Sequence, residues 1–187
     1  MTWVENIRYV ADGRIVSSAG ISAAIPTTLA LVEAIAGEAK AAAVARELGV
    51  SDWSTMHDSQ VFAPAFGRNL MAFATTNAIN PGLRQQEAVG VTIYPRVDET
   101  SLAILADAYS RTGRSKAFAI AASEQPARTR QGLMFVPDQI IGFQRIIELP
   151  QARAGGQMDA ALLAVERDYG RLTAFGVALD FEYPGFQ

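Results

Sequence analysis

The residues best suited to proton transfer follow one another in the stretch His57-Asp58-Ser59. An imidazole, a carboxylate and a hydroxyl are the groups of a nucleophilic triad, but triad members must converge in space, whereas adjacent side chains point apart. His57 is the chain's single histidine, so any serine–histidine mechanism would have to use it. A lone histidine in a polar loop is typical of a surface residue or a turn, so His57 is a weak catalytic candidate.

Asp98 and Glu99 are the other weak candidates for acid–base chemistry, because they stand together before an apolar helical pattern. Acidic side chains in the first turn of a helix are favoured by the macrodipole, and this structural explanation is the simpler one. Ser17 and Ser18 offer hydroxyls at the junction between a predicted strand and a turn. The sequence therefore assigns no catalytic residue.

The pair Gly155-Gly156 precedes a predicted helix and could bind an anion through backbone N–H groups. The residues around it match neither GxxxxGK[ST] nor GxGxxG, the spacings of known phosphate loops. We therefore interpret this pair as a flexible turn before a helix.

The composition excludes several classes of function. The chain of 187 residues has no cysteine, which removes disulfides, thiolate zinc sites and thiol nucleophiles, and we expect no metal and no cofactor. A formal net charge of −3 without a basic run argues against binding to nucleic acid or to an acidic membrane surface. The amino terminus lacks the pattern of a signal peptide, and the apolar-rich residues 21–36 are too short and polar to span a bilayer. We therefore expect a cytoplasmic protein.

The first organised block is a predicted β-hairpin followed by two helices. Asp12-Gly13 is a tight-turn pair, which places one strand around Tyr9 and another over residues 14–18. Apolar residues then recur at helical spacing from about residue 23 to Gly37, with Pro26 early enough to be tolerated in the first turn. An alanine-rich helix follows over residues 39–48.

Residues 51–87 show scattered aromatic residues but no sustained period. A segment of this length without clear structure is unusual inside a compact domain. The pattern therefore predicts a linker on the surface, with one helical turn around residues 70–73.

The second organised block begins at Ala88. Residues 88–95 are a β-branched run typical of a buried parallel strand, and a helix over 98–109 and a strand over 116–123 follow. This βαβ spacing predicts a right-handed crossover and a parallel sheet. A hairpin near residues 129–137, a strand over 145–150, a last helix over 158–169 and an apolar tail that docks complete the block.

The stretch DGRIVSSAGISAAIPTTLALVEAIAG, residues 12–37, combines an acidic-Gly turn, a short strand, a small-residue turn before glycine and a helix ending near Val-Glu and a glycine. In this combination it resembles the late strand, turn and carboxy-terminal helix of the PfpI/ThiJ superfamily, also called class I glutamine amidotransferase-like. The residues in register are Asp12, Gly13, Ser17, Ser18, Gly20, Val32, Glu33 and Gly37. The resemblance implies a structural role for Ser18 and Gly20 in a tight turn.

A second stretch, VGVTIYPRVDETSLAILADAYSRTG at residues 89–113, resembles the opening strand and helix of the same fold. KAFAIAAS and RTRQGLMFVPD resemble the strand and hairpin that come next. The carboxy-terminal part of such a domain thus occupies residues 1–50, a linker 51–87 and a degenerate second domain 88–187, unless all three fold together as one unit. The resemblance implies an α/β fold with a doubly wound, mostly parallel sheet flanked by helices, incomplete or rearranged.

The superfamily's chemistry depends on a cysteine held on a strained strand-to-helix turn. No cysteine is present, only residues 145–159 fill the place of that turn, and Ser101 falls where the family has an acidic residue. The resemblance therefore implies a non-catalytic scaffold or interaction protein. The alternative is one part of a split or truncated amidase or hydrolase whose nucleophile lies on a missing segment or a partner chain. An incomplete domain leaves sheet edges unpaired, so we expect a homo-oligomer or a partner chain.

Overall fold

The computed structural model describes residues 4–138 and 143–186. The chain begins with an antiparallel hairpin of β1 (Tyr9–Asp12) and β2 (Ile15–Ser18), which confirms the turn predicted at Asp12-Gly13. Two helices follow, α1 (Ala24–Ala36) and α2 (Glu38–Leu48), and they pack against each other. Gly37 separates them with a φ of +84°, a left-handed conformation that favours glycine.

The segment after α2 contains more helix than the single turn that the sequence predicts. A 3₁₀ turn spans Ser59–Phe62, and α3 (Leu70–Ala74) continues through a π-helical turn, Thr75–Ile79, into α4 (Asn80–Leu83). The prediction of one turn was wrong because this helical run buries polar side chains, which a search for apolar periodicity does not detect.

Asn80 shows why these polar residues can be buried. Its side chain is 4% exposed, and its Nδ2 donates to the carbonyl of Thr112 at 2.7 Å and to the hydroxyl of Thr173 at 3.1 Å. A buried amide is tolerated where its hydrogen bonds are made. These two bonds tie the helical run to the second block of the chain.

The second block is built on a parallel sheet. The strands β3 (Glu87–Thr92), β4 (Ser115–Ile120) and β7 (Arg145–Ile147) lie in the order β4-β3-β7, all parallel, and α5 (Glu99–Ser110) connects the first two. The predicted βαβ unit is confirmed. The short strands β5 (Ala127–Arg128) and β6 (Met134–Phe135) pair antiparallel as a separate hairpin.

Two helices close the chain. α6 (Gln157–Tyr169) agrees with the predicted last helix, but a further helix, α7 (Arg171–Asp180), follows it after a break at Gly170. The tail was expected to dock, and its helical form was missed because its residues are buried almost all round rather than along one stripe.

The main core lies between the central strand β3 and the helices that flank the sheet. Its fully buried side chains include Val89, Val91, Leu105, Leu162, Val165, Val177 and Phe181. The chain is thus mixed α/β, with a three-stranded parallel sheet flanked by helices. None of the helices within residues 4–138 and 143–186 has the length and apolar character needed to cross a lipid bilayer.

Candidate functional site

A cleft of about 580 Å³ lies between the first turn of α1, the outer face of α5 and the segment that leads into α6. This volume is within the range of small-molecule sites, roughly 300–1,000 Å³. Most of its walls are apolar side chains, contributed by Ile21, Ile25, Pro26, Val50, Ala103, Ile104, Met158 and Pro184. The polar side chains that line it are Arg8, Ser22, Asp52, His57, Thr100, Asp107 and Tyr183.

His57 lines this cleft, and its side chain is buried. Its Nε2 lies 2.6 Å from Glu182 Oε2, its side chain is 6% exposed, and its ring stacks on Phe62 with 5.4 Å between centroids. The interpretation of His57 as a surface loop residue was therefore wrong. The bridge between Ile7 and Met56 holds its segment against the hairpin, and the chain after α7 returns across it.

Glu182 reaches His57 because the turn after β2 binds the end of α7. The Ser22 backbone N–H donates to the Phe181 carbonyl at 3.0 Å, and the Ser22 hydroxyl donates to the Glu182 carbonyl at 2.8 Å. Glu182 itself has a φ of +50°, which is uncommon for a residue other than glycine. We call the set of Gly20, Ser22, His57, Phe181 and Glu182 the clasp.

Gly20 is where the two backbones of the clasp come closest. It has a φ of +62°, and a Cβ atom there would lie 2.7 Å from Glu182 Cβ and 2.8 Å from the Phe181 carbonyl oxygen. Both the conformation and the close approach require a residue without a side chain. Ser18, by contrast, is an exposed residue at the end of β2, paired with Tyr9.

The charged residues of the cleft are already paired. Arg8 Nη1 lies 3.3 Å from Asp52 Oδ2, and Asp107 Oδ1 lies 3.1 Å from Arg111 Nε. The backbone N–H of Ser54 donates to Asp52 and, with the hydroxyl of Ser54 and the Arg8 guanidinium, holds the pKa of Asp52 below its usual value.

Asp98 and Glu99 do not join His57 in the cleft. The Asp98 carboxylate accepts a hydrogen bond from the Ser101 backbone N–H at 2.8 Å and so caps α5. Glu99 Oε1 accepts from the Thr129 hydroxyl at 3.0 Å and from the Gln131 N–H at 3.2 Å, which holds the loop between β5 and β6. Asp98 lines a second cavity, of about 360 Å³.

Gly155 also lines the cleft, in the 3₁₀ turn Ala154–Gly156 that leads into α6. The turn predicted at Gly155-Gly156 is therefore confirmed. A Cβ at Gly155 would lie 2.6 Å from the carbonyl oxygen of Gly49, so the end of α2 packs directly on this turn.

Sequence reasoning missed the contacts of Glu182 with His57 and of Ser22 with the end of α7. Glu182 is 125 positions from His57 in the chain, and no periodic or motif signal connects residues at that separation. In the described ranges, no group of three or more histidine, aspartate or glutamate residues could hold a metal ion.

Comparison with known proteins leaves the family of this chain open. No protein-family model matches it, and no curated protein matches it significantly. The cleft and the clasp are therefore the features of the molecule that bear on its function.

Proposed function

We propose that this chain is a PfpI/ThiJ-like protein without the catalytic cysteine, which acts as a non-catalytic scaffold or interaction protein. The proposed fold is an incomplete or rearranged form of the doubly wound class I glutamine amidotransferase-like sheet. The observation that carries the proposal is the clasp, in which the only imidazole bonds to Glu182 at 2.6 Å and packs on Phe62. In that arrangement His57 joins the end of α7 to the amino-terminal block, which is a structural task.

The resemblance of residues 12–37 to the superfamily supports the same proposal from the sequence side. Gly20 is one of the residues in register with the superfamily, Ser22 follows it two positions later, and both contact the end of α7. A chain can keep such a turn for packing after its chemistry has been lost, because packing and catalysis place separate demands on residues.

Assays of the purified protein for amidase, glyoxalase and esterase activity test this proposal. We expect no turnover above that of the Ala103→Trp variant, whose new side chain would fill the cleft. Turnover by the wild-type chain that is lost in both Ala103→Trp and His57→Gln would contradict it.

A second candidate is one part of a split or truncated amidase or hydrolase. The observation in its favour is that His57, which lines the cleft, forms an imidazole–carboxylate pair with Glu182, and such a pair is the base-and-orienter half of a nucleophilic site. The nucleophile would come from a missing segment or a partner chain. Reconstitution with such a polypeptide should give an activity that His57→Gln abolishes. An activity that His57→Gln leaves unchanged would refute this candidate.

We also propose that the chain forms a homo-oligomer or binds a partner chain. Large apolar side chains stand exposed on its surface, among them Phe66 at 92%, Leu83 at 80% and Ile35 at 78% exposure. Exposed apolar surface and open strand edges favour association. Light scattering at micromolar concentration should therefore give a molecular mass larger than that of one chain. The mass of a single chain would count against the homo-oligomer.

A further inference from the structure

A tight turn before α3 exposes an aromatic side chain to solvent. The backbone N–H of Arg68 donates to the Ala65 carbonyl at 3.3 Å, which closes the turn. Phe66 and Gly67 are its two central residues, and Gly67 has a φ of +74°. Phe66 is 92% exposed, the largest value among the large apolar residues that the structure describes. A large apolar side chain at the tip of a turn is a candidate contact for another surface.

Asn69 fixes this turn against the wall of a cavity. Its Oδ1 accepts from the Ala65 N–H at 2.7 Å, its Nδ2 donates to the Val61 carbonyl at 3.1 Å, and the residue is 2% exposed. Asn69 and Val61 both line the cavity. Phe66 is therefore held in place beside it, and a side chain ordered before binding loses less entropy when it binds.

The cavity beside the turn has the size and the lining for one aromatic side chain. Its volume is about 270 Å³, below the roughly 300–1,000 Å³ of small-molecule sites. We call this cavity the aromatic pocket, and its apolar walls are formed by Val61, Phe62, Phe175, Leu179, Pro184 and Phe186.

The ring and the pocket are neighbours on one surface, which suits an exchange between two copies of the chain. Arg68 lines the pocket and is two positions from Phe66, so their Cα atoms are at most about 7.6 Å apart. A two-fold axis between the ring and the pocket would bring each copy's ring to the other's pocket. Such an interface is self-complementary and closes at two chains.

The surface that this exchange would bury is close to what a specific dimer needs. One aromatic side chain buries about 150–250 Å² of its own surface, and it covers a similar area of pocket wall. Two insertions therefore bury about 800 Å² in total, and a specific interface requires about 1,000 Å². Leu172 supplies further apolar surface, because it is 51% exposed and lies on the same face of α7 as Phe175 and Leu179.

We propose that two copies of this chain associate about a two-fold axis, with Phe66 of each copy inserted into the aromatic pocket of the other. This inference rests on the proposed homo-oligomer and names its interface.

Sedimentation equilibrium of the wild-type chain and two variants tests the ring. The wild type should have the mass of two chains at micromolar concentration, and Phe66→Ala should weaken dimerisation by about 100-fold or more, since two central contacts are lost. The matched Ile35→Ala variant removes another exposed apolar side chain, at 78% exposure on α1, and should dimerise as the wild type does. Phe66→Ala should unfold at the same urea concentration as the diluted wild type, because the ring is exposed in the single chain.

A mixture of two variants tests the exchange itself. Val61→Trp enlarges a side chain of the pocket wall and should also weaken dimerisation, but it keeps Phe66. Phe66→Ala keeps the pocket. Equal amounts of the two should therefore form a heterodimer more tightly than either variant dimerises alone, because one of the two insertions is restored. If Val61→Trp does not fold, the comparison of Phe66→Ala with Ile35→Ala still decides.

The outcomes separate this inference from the proposed function. A wild-type dimer that Phe66→Ala leaves intact, an open series of larger assemblies, or a mixture of folded variants without a heterodimer would overturn this interface and leave the proposed homo-oligomer standing. The mass of a single chain would overturn both and leave the non-catalytic proposal standing. Catalytic turnover would overturn the non-catalytic proposal without changing any of these masses.

Discussion

At the scale of single residues, Gly20 and Gly13 form a natural comparison. Both have positive φ, +62° and +59°, but a Cβ at Gly20 would meet Glu182 and the Phe181 carbonyl, whereas a Cβ at Gly13 would meet nothing within 4 Å. We expect Gly13→Ala to lose about 1–2 kcal/mol of unfolding free energy from the left-handed backbone, and Gly20→Ala to lose clearly more. Urea denaturation measures both, and equal losses would show that the clasp does not require this close approach.

His57 and Glu182 should be energetically coupled. The imidazole is 6% exposed at its side chain and the carboxylate 29%, so removal of either leaves a partly buried polar partner. We expect His57→Ala to cost about 1–3 kcal/mol, where an exposed loop residue would cost under about 0.5 kcal/mol. A double-mutant cycle with Glu182→Ala should give a coupling of about 1 kcal/mol, and additive losses would mean that the observed contact adds no stability.

At the scale of elements, α7 lies directly on the helical run that precedes β3. A Cβ at Gly176 would come within 2.5 Å of Thr76 Cγ2 and 2.6 Å of the Ala72 carbonyl oxygen. Gly176→Ala should therefore separate the helices and destabilise the fold by about 1–3 kcal/mol.

Gly82 on α4 provides the control, because a Cβ there would meet nothing within 4 Å. Alanine has a higher helix propensity than glycine, so Gly82→Ala should raise stability by up to about 1 kcal/mol. Thermal melting of both variants tests this contrast in sign. If Gly176→Ala is also stabilised, α7 does not pack as closely as the structure shows.

At the scale of the whole molecule, Asp168 links α6 to the sheet. Tyr109 donates to its Oδ2 at 2.7 Å, Arg167 Nε lies 2.8 Å and Arg145 Nη1 3.2 Å from its Oδ1. Burial by itself would raise the pKa of Asp168, but the hydrogen bonds from Arg167 and Tyr109 and the charge of Arg145 outweigh it and lower the pKa.

This lowered pKa makes stability depend on pH. An aspartate with a folded-state pKa below its unfolded value of about 3.9 stabilises the fold above that value and loses the contribution as pH falls through the folded pKa. The wild-type melting temperature should therefore drop more steeply below about pH 4 than that of Asp168→Asn. If the melting temperatures of the wild type and of Asp168→Asn fall equally steeply below about pH 4, Asp168 does not have this role.

Asp180 should have the opposite effect on the pH dependence of stability, and the same melting experiment measures it. Burial raises its pKa, so its ionisation opposes folding, and stability should fall as pH rises through its folded pKa. Asp180→Asn should remove that loss and make the chain relatively more stable at neutral pH. A drop in melting temperature at pH 7 in this variant would mean that burial is not the dominant cause.

Local signals were sufficient to predict most elements. Asp12-Gly13 specifies a turn, Gly37 ends α1, and the β-branched run at β3 followed by a helix specifies a parallel βαβ unit. Each of these depends on backbone preferences or on periodicity within a few residues, which the sequence displays directly.

Contacts between residues far apart in the chain decided the features that local signals did not predict. The helical run of residues 70–83 depends on Asn80, whose amide is satisfied by Thr112 and Thr173. The burial of His57 depends on Glu182, 125 positions away, and the approach of the turn at Gly20 brings them together. Whether a polar residue can be buried is set by its partners in space, and partners that far apart along the chain meet only when the tertiary fold forms.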